Sequence, residues 1–346
     1  MAAEVGYFTN TENGYVPAKL AHHSTGTQPL RLLRFIVNHV IPDTVKFLVQ
    51  LVPLLLSGLV GLVLPTKRKS IRDHIALVTG GANGLGRALC LRLAQEGCHV
   101  AVVDIDQAGA QRTVEDVRKL GVKAEAFLAD IANYEAVERL RLDVETKLGP
   151  VDVLVNNAGL LAILSLTEGK ASDLERIVNV NLLSHFWTIR TFIDGMKQRQ
   201  RGYILAVSSI LGCIPMPRTI SYVATKFAVR GMMQALEREI AIDGFKETIF
   251  PATLFPTFIA TRKELVDMLN ELSLDEKLTI LTPEAVADTA VEGMLRGYTQ
   301  IFATPFFIRL FVSLIELLPN ALTNLLIETT MGHLPTLMER SSKKEC

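Results

Sequence analysis

Apolar runs alternate with amphipathic segments from residue 75 onward, and this alternation predicts a layered α/β fold. The predicted strands are residues 75–78, 99–103, 124–128, 151–155, 202–207 and 247–254. The predicted helices are residues 88–94, 107–120, 133–148, 172–198 and 222–242. Strict alternation is typical of parallel sheets with right-handed crossovers, so we expect a doubly wound sheet covered by helices on both faces.

Two other strongly apolar stretches lie outside this alternation. Residues 47–64 carry no charge over 18 positions, which is near the lower limit for a membrane-spanning helix. The basic residues Lys67, Arg68 and Lys69 follow at once and favour the cytosolic side. Near the C-terminus, residues 302–327 contain several apolar runs. These runs are compatible with helices that cover the core and with a patch that docks on a membrane.

These patterns predict four parts. They are a polar, poorly ordered tail (1–29), a membrane-associated segment (30–66), a single catalytic domain (70–282) and a hydrophobic helical C-terminal extension (283–346). In a doubly wound sheet the ligand lies beyond the carboxyl ends of the strands. The polar motifs of the chain follow such ends, which predicts one shared site.

Charge and cysteine content argue against two classes of partner, nucleic acids and metal ions. The 346 residues include 36 Lys+Arg and 36 Asp+Glu, a balance that argues against a nucleic-acid partner. The four cysteines form no Cys-x-x-Cys pair and have no cluster of histidines near them. We therefore expect reduced thiols on the cytosolic side and no metal site.

A glycine-rich turn follows the first strand of the sheet and precedes a helix. Its residues are Thr79, Gly80, Gly81, Ala82, Asn83, Gly84, Leu85 and Gly86. Glycines let the backbone approach a pyrophosphate, and the helix N-terminus supplies free N–H groups. Asp104 ends the next strand, where it can accept hydrogen bonds from ribose hydroxyls and would repel a 2′-phosphate. NAD(H) is thus favoured over NADP(H), although an Asp at a strand end can also serve as a helix cap.

Tyr222 and Lys226 lie four residues apart on a predicted helix, so their side chains share one face. An ammonium beside a phenol favours the phenolate and lowers the pKa of the tyrosine towards the neutral range. This pair therefore predicts a general acid/base at Tyr222. The same spacing also occurs between ordinary helix residues.

Together these motifs resemble the short-chain dehydrogenase/reductase family over roughly residues 72–262. Further matching motifs are Asp130, Asn156-Asn157-Ala158-Gly159, Val180-Asn181-Leu182 and Ser208-Ser209. The resemblance implies a Rossmann-type fold and a catalytic tetrad of Asn181, Ser209, Tyr222 and Lys226. Ser209 is preferred to Ser208 because the serine of the family usually lies thirteen residues before the tyrosine.

The resemblance also implies roles for these residues. Ser209 would orient the substrate oxygen, Lys226 would hold the nicotinamide ribose, and Asn181 would position a water. The cofactor would contact Tyr222 and Lys226 as well as the glycine turn. Asn157, Ala158 and Gly159 would line its adenine and ribose side, and Asp130 and Ile131 would border the adenine. Pro256-Thr257, with Thr261 downstream, departs from the Pro-Gly of many members and alters the contacts expected for the nicotinamide carboxamide.

The apolar segments and the string 181–187 resemble the membrane-anchored branch that includes epidermal retinal dehydrogenases and related steroid dehydrogenases. This implies an NAD(H)-dependent oxidoreductase of the endoplasmic reticulum or lipid droplet. Its substrate would be a hydrophobic alcohol or carbonyl: a retinoid first, then a steroid or a long-chain fatty alcohol. A homodimer through the helices 172–198 and 222–242 is expected, and His185 and Trp187 are expected to pack. The alternatives are an NADP(H)-dependent carbonyl reductase and a non-catalytic scaffold at a membrane surface.

Overall fold

The structure is a computed structural model in which the chain divides into two compact units, Met1–Thr66 and Lys67–Cys346. The described residues are 8–11, 14–17, 36–42, 44–46, 49, 67–161, 167, 169–260, 280–315, 318–319, 321–323, 325 and 329. In the first unit, β1 (Phe8–Thr11) and β2 (Gly14–Pro17) pair antiparallel, and Ile36–Val40 forms a π-helical turn. The expectation of a poorly ordered tail over residues 1–29 stays a prediction, and this short hairpin is the part of the tail that the structure describes.

The second unit contains a seven-stranded, fully parallel sheet with the order β5-β4-β3-β6-β7-β8-β9. Its strands are β3 (Ile75–Thr79), β4 (His99–Asp104), β5 (Ala124–Leu128), β6 (Val151–Asn156), β7 (Gly202–Val207), β8 (Ile249–Pro256) and β9 (Gln300–Ala303). The strand order reverses between β3 and β6, so the ligand crevice of such a sheet opens beyond the carboxyl ends of these two strands. The predicted doubly wound fold is confirmed.

The helices alternate with the strands. They are α1 (Gly84–Gln95), α2 (Gln107–Arg118), α3 (Tyr134–Lys147), α4 (Ala171–Val178), α5 (Ser184–Arg199), α6 (Ile220–Ile242), α7 (Pro283–Leu295) and α8 (Phe306–Ile315). The continuous helix predicted over 172–198 is interrupted by a π-helical turn, Asn179–Leu183, between α4 and α5. Part of the expected C-terminal extension belongs to the sheet layers, because α7 packs on one face and β9 forms the last strand.

Both faces of the sheet are covered by apolar side chains. Within β3, Ala76 and Val78 point to a cluster shared with α1, α2 and α7, whereas Ile75 and Leu77 point to one shared with α3, α5 and α6. This period-two alternation, with every residue of β3 buried, is expected for a central parallel strand. Cys90, Cys98 and Cys213 are buried free thiols.

Most of the predicted membrane segment, 30–66, lies outside the described residues. Among the residues that the structure describes, no helix has the length and apolar character needed to cross a bilayer.

Candidate active site

The glycine turn leads from β3 into α1 and leaves the helix N-terminus open. Gly80 and Gly84 have φ angles of +66° and +52°, in the left-handed region that favours glycine. A Cβ on Gly86 would lie 1.9 Å from the carbonyl oxygen of Gly80. Asn83, at the N-cap, makes no capping hydrogen bond with its side chain. The first N–H groups of α1 are therefore available to an anion such as a pyrophosphate.

Thr79 and Asn157 lock the carboxyl ends of β3 and β6 together. The Thr79 hydroxyl accepts hydrogen bonds from the backbone N–H groups of Asn157 and Ala158 at 3.0 and 3.1 Å. The Asn157 amide in turn donates to the carbonyl oxygens of Thr79 and Gly80 at 2.9 and 3.2 Å. Thr79 is buried, so its part in the site is to hold the turn in place.

The Asp104 carboxylate stands at the edge of this turn. One oxygen accepts a hydrogen bond from the Ala82 N–H at 2.9 Å, and the other accepts from the Asp106 N–H at 3.0 Å. Asp106, not Asp104, caps α2 by accepting from the Gly109 N–H at 2.9 Å. The helix-cap alternative for Asp104 is therefore wrong, and its position suits a ribose hydroxyl.

A cleft of about 870 Å³ runs beyond these strand ends. Eleven of the predicted cofactor residues line it: Gly80, Asn83, Gly84, Leu85, Gly86, Asp104, Asp130, Ile131, Asn157, Ala158 and Gly159. The open helix N-terminus, the glycines without room for a Cβ and the carboxylate at the strand end together fit a dinucleotide.

A second cavity, of about 240 Å³, adjoins this cleft and shares Leu85, Asn157, Gly159 and Leu160 with it. Its polar side chains include Ser208, Ser209, Tyr222 and Lys226. The other walls are mostly apolar: Leu161, Val207, Ile210, Leu211, Met216, Pro256, Phe258 and Ile259. Thr257 lines the same cavity, and Thr261 lies outside the described residues. A small apolar molecule with one oxygen at the polar end would suit this space.

Tyr222, Ser209 and Lys226 meet at that polar end. The Ser209 hydroxyl is hydrogen-bonded to the Tyr222 phenol, and the Lys226 ammonium lies 5.6 Å from the centre of the Tyr222 ring. Lys226 also donates to the carbonyl oxygen of Val207 at 2.9 Å. Ser208 points elsewhere, because its hydroxyl donates to the Lys226 carbonyl at 2.9 Å.

Burial dominates the electrostatics of this group. It raises the pKa of the Tyr222 phenol, and the hydrogen bond from Ser209 opposes the rise. Burial also lowers the pKa of Lys226 to about 8. The pKa of Tyr222 is therefore raised and not lowered as the sequence predicted, because desolvation outweighs the hydrogen bond from Ser209.

Asn181 lies behind the cavities and is fully buried. Its amide clamps the backbone of Leu160, accepting from the N–H at 2.7 Å and donating to the carbonyl at 2.8 Å. It also contacts the Thr225 hydroxyl at 3.4 Å, next to Lys226. The π-helical turn that carries Asn181 is what turns this side chain towards the ends of β6 and α6.

Six residues that line the cleft were not predicted as cofactor residues: Val103, Ile105, Ala129, Leu160, Arg176 and Val180. Arg176 and Val180 line its wall from α4 and the π turn. Val180 belongs to the Val180-Asn181-Leu182 motif, and Arg176 precedes it by four residues, one helical turn, which is the signal that could have linked the two. Trp187 packs against Tyr134, with ring centres 5.3 Å apart, and His185 is buried beneath the site.

Comparisons with known proteins identify the family of this chain. A family model described as short chain dehydrogenase matches residues 74–264. The human 17-beta-hydroxysteroid dehydrogenase 13 is 29% identical over 302 residues, covering 85% of this chain and 98% of that protein. The estradiol 17-beta-dehydrogenase 11 of Mus musculus is 32% identical over 277 residues, covering 79% of this chain and 90% of that protein.

A solved structure shows the same fold. It is a short chain dehydrogenase/reductase from Burkholderia phymatum in complex with NAD, with a TM-score of 0.63 and 24% identity. The match covers 72% of this chain and 96% of that chain.

Proposed function

The chain belongs to the short-chain dehydrogenase family, and from that premise we propose that it transfers a hydride between NAD(H) and a hydrophobic alcohol or carbonyl. The observation that carries this proposal is the Tyr222–Ser209–Lys226 group. It closes an apolar cavity that is continuous with the dinucleotide cleft. The reacting carbon of the substrate and the cofactor would therefore meet beside the Tyr222 phenol, which transfers the proton.

Each residue has a defined part in the proposed reaction. The bound nicotinamide would supply the hydride acceptor or donor. In the oxidation direction the Tyr222 oxygen takes the hydroxyl proton of the substrate, while Ser209 holds the substrate oxygen by a hydrogen bond. The Lys226 ammonium stabilises the phenolate form of Tyr222 electrostatically, and the apolar walls exclude water.

The open N-terminus of α1 would hold the pyrophosphate, and Asp104 would accept hydrogen bonds from the adenosine ribose. This carboxylate supports NAD(H) over NADP(H). It also argues against an NADP(H)-dependent carbonyl reductase as the alternative, because a 2′-phosphate would be repelled.

The substrate class is proposed from the relatives and the cavity. Two relatives carry names of 17-beta-hydroxysteroid and estradiol dehydrogenases, so a steroid secondary alcohol replaces a retinoid as our first choice. Retinol and a long-chain fatty alcohol follow. All three place one hydroxyl on a large apolar body, which matches a cavity with polar groups at one end.

Association with a membrane is supported by α8. One face of this helix packs Val312 and Ile315 into the cluster around the substrate cavity. The opposite face exposes apolar side chains: Phe306, Phe307, Leu310 and Leu314. An apolar stripe beside a cavity for apolar substrates suits the surface of the endoplasmic reticulum or of a lipid droplet. The catalytic unit would then face the cytosol.

A homodimer through α5 and α6 is also proposed. A surface depression of about 1340 Å³ lies along these helices, and its lining includes Phe186, Arg190 and Met232. A second copy of the chain would fill it by packing the same helices across a twofold axis. Light scattering of the full chain tests this proposal, and a monomeric mass at micromolar concentration would contradict it.

Turnover by the membrane-reconstituted protein tests the main proposal. The assay supplies NAD with a 17β-hydroxysteroid, all-trans-retinol or a long-chain fatty alcohol, and Tyr222→Phe is run beside the wild type. We expect NADH formation with one class and its loss in the variant. Measurable NAD binding with no turnover on any class would favour the non-catalytic scaffold instead.

A further inference from the structure

Three buried polar atoms behind the catalytic helix have no hydrogen-bond partner among the described residues. They are both ring nitrogens of His185 and the amide nitrogen of Asn156. The exposed fractions of these side chains are 1% and 2%. A buried polar atom without a hydrogen-bond partner destabilises the folded state, so a packing role alone would favour an apolar residue at position 185.

The two side chains belong to one interface, between the end of β6 and the first turn of α5. Thr188, about one turn after His185 on α5, marks this interface. Its hydroxyl lies 2.8 Å from the Asn156 side-chain oxygen and 3.2 Å from the His185 carbonyl oxygen. Asn156 is thus held by its oxygen, and its N–H₂ group remains available beside α5.

This interface is coupled to the catalytic lysine. His185 follows Asn181 by four residues, about one helical turn, so both side chains leave the same face. A Cβ on Gly159 would lie 3.5 Å from Asn181 Oδ1 and 3.6 Å from Lys226 Nζ. The Asn181 amide and the Lys226 ammonium therefore border the same space beside Gly159. Burial lowers the pKa of the His185 imidazole to about 3, and the positive charge of Lys226 contributes to this lowering.

We propose that His185 is a positioning residue for Lys226. Its neutral imidazole and the Asn156 amide form a buried polar site that takes a water molecule and supports the lysine ammonium from the protein interior. The inference rests on the proposed function, because Lys226 matters there as the charge beside Tyr222.

The hydrogen-bonding capacities of the groups match such a site. A neutral imidazole has one N–H donor and one acceptor nitrogen, and the Asn156 N–H₂ group donates. The Lys226 ammonium has three donors, of which the Val207 carbonyl takes one. A water that accepts from Asn156 or Lys226 and donates to the imidazole would satisfy groups from β6, α5 and α6 at once.

The proposed polar site at His185 also affects the pKa of Lys226. The titratable side chains near its ammonium are Tyr222, on the same helix, and His185, on α5. Burial already lowers the pKa of Lys226 to about 8. An apolar residue at position 185 would remove a hydrogen-bonded partner of the charged form and lower this pKa further.

The experiment compares His185→Leu and His185→Gln with the wild type in the full chain. Leucine fills the space without polar atoms, whereas glutamine keeps a donor and an acceptor. His74→Leu is the matched control, because Nδ1 of His74 is also buried without a partner among the described residues and His74 precedes β3, at the amino ends of the strands and away from the site. The readouts are kcat, KM, NADH affinity and the pH profile, with crystal structures of the NADH complexes.

We expect His185→Leu to lower kcat by about tenfold or more, as is usual when a catalytic group loses its positioning. The alkaline limb of its pH profile should move to lower pH, while NADH affinity changes less than kcat. Glutamine should restore most of the rate, and His74→Leu should keep the wild-type profile. Wild-type kcat and pH profile in His185→Leu would overturn the proposal and leave His185 as a core residue.

The crystal structures keep the test independent of turnover. If the wild type proves inactive on every alcohol, the proposed function fails, but the site is still judged by its geometry. An ordered water bonded to His185 and Asn156 would support the site. Direct packing of apolar groups against both side chains would overturn it.

Discussion

Gly86 has no space for a side chain, and this makes the glycine turn sensitive to a single methyl group. A Cβ there would lie 1.9 Å from the Gly80 oxygen and 2.6 Å from the Asn157 amide nitrogen. Since both contacts are with groups that hold the turn, Gly86→Ala must displace the loop that would carry the pyrophosphate. We expect a loss of NADH affinity of at least about tenfold, corresponding to 1.4 kcal/mol or more, measured by fluorescence titration.

Gly231→Ala provides the control for this prediction. Gly231 lies inside α6, and a Cβ there would meet nothing within 4 Å. Alanine is a better helix former by about 1 kcal/mol, so this variant should bind NADH normally and unfold at equal or higher temperature. Equal NADH affinities in the two variants would refute the steric explanation.

Asp104 should determine the choice between NADH and NADPH by its charge. Asp104→Asn keeps one oxygen that can accept from the Ala82 N–H, so the turn should survive while the negative charge and the hydrogen bond from the Asp106 N–H are lost. Two charges about 4 Å apart interact by roughly 1–4 kcal/mol between water and the protein surface. We therefore expect the preference for NADH over NADPH to fall by about tenfold, measured as a ratio of dissociation constants.

Asp143→Asn removes the same charge from the exposed surface of α3 and is the matched control for Asp104. Its ratio of dissociation constants should equal that of the wild type. An unchanged ratio in Asp104→Asn as well would show that another feature selects the cofactor.

Some residues of the site could be predicted from the sequence, and others could not. Glycine spacing, Asp104 and the Tyr222–Lys226 pair were readable because each depends on local geometry along one strand or helix. Arg176 was not, because its place on the cleft wall depends on how α4 packs across the ends of β3 and β6. The unpaired nitrogens of His185 likewise follow from packing of α5 on β6, which no local pattern encodes.

At the scale of elements, the basic run after the apolar segment has a structural use. Arg68 pairs with Glu96 at the end of α1 and with Glu292 of α7. The Lys69 ammonium lies 3.2 Å from the centre of the Phe250 ring. The sequence suggested only a membrane flank, but two of these cations also fasten the start of the second unit to its own helices and sheet.

Boundaries of elements were predicted less well where tertiary packing decides them. The segment 172–198 has the periodicity of one helix, yet a π turn interrupts it at Asn181, where the side chain clamps Leu160. The last strand, β9, was read as part of an apolar extension. This strand has only four residues, and they become a strand because they pair with the open edge of β8.

The exposed face of α8 should bind a lipid surface. Phe307 and Leu310 are 65% and 48% exposed, and burial of such a side chain is worth about 1.5–3 kcal/mol. In the full chain we expect phospholipid vesicles to slow hydrogen–deuterium exchange of the α8 amides. The double variant Phe307→Gln, Leu310→Gln should lose this protection, since its exposed face is polar.

Leu142→Gln is the control for α8. Leu142 is 54% exposed on α3, so the variant removes a similar apolar surface from another helix. Protection of α8 should persist in this variant. Protection that also persists in the α8 double variant would mean that the helix does not itself contact the lipid.

At the scale of the whole molecule, the buried imidazole of His185 should make folding sensitive to acid. Its pKa is lowered from an ordinary 6.5 to about 3, so between these values the unfolded chain binds a proton that the folded chain excludes. The contribution of His185 to the free energy of unfolding is therefore fully present above pH 6.5 and is lost as the pH falls towards 3. At pH 4.5, two units below the unfolded value, the loss is roughly 3 kcal/mol.

The comparison with His185→Gln isolates this contribution from that of the carboxylates, because glutamine does not titrate. Urea unfolding at pH 7.5 and pH 4.5 gives the free energy of unfolding of each protein. The wild type should lose roughly 3 kcal/mol more than the variant between the two pH values. Equal losses would mean that the folded protein admits the proton, and hence that bulk water or a carboxylate reaches the imidazole. The same measurement therefore decides whether the space behind Lys226 is closed to bulk solvent in the folded molecule.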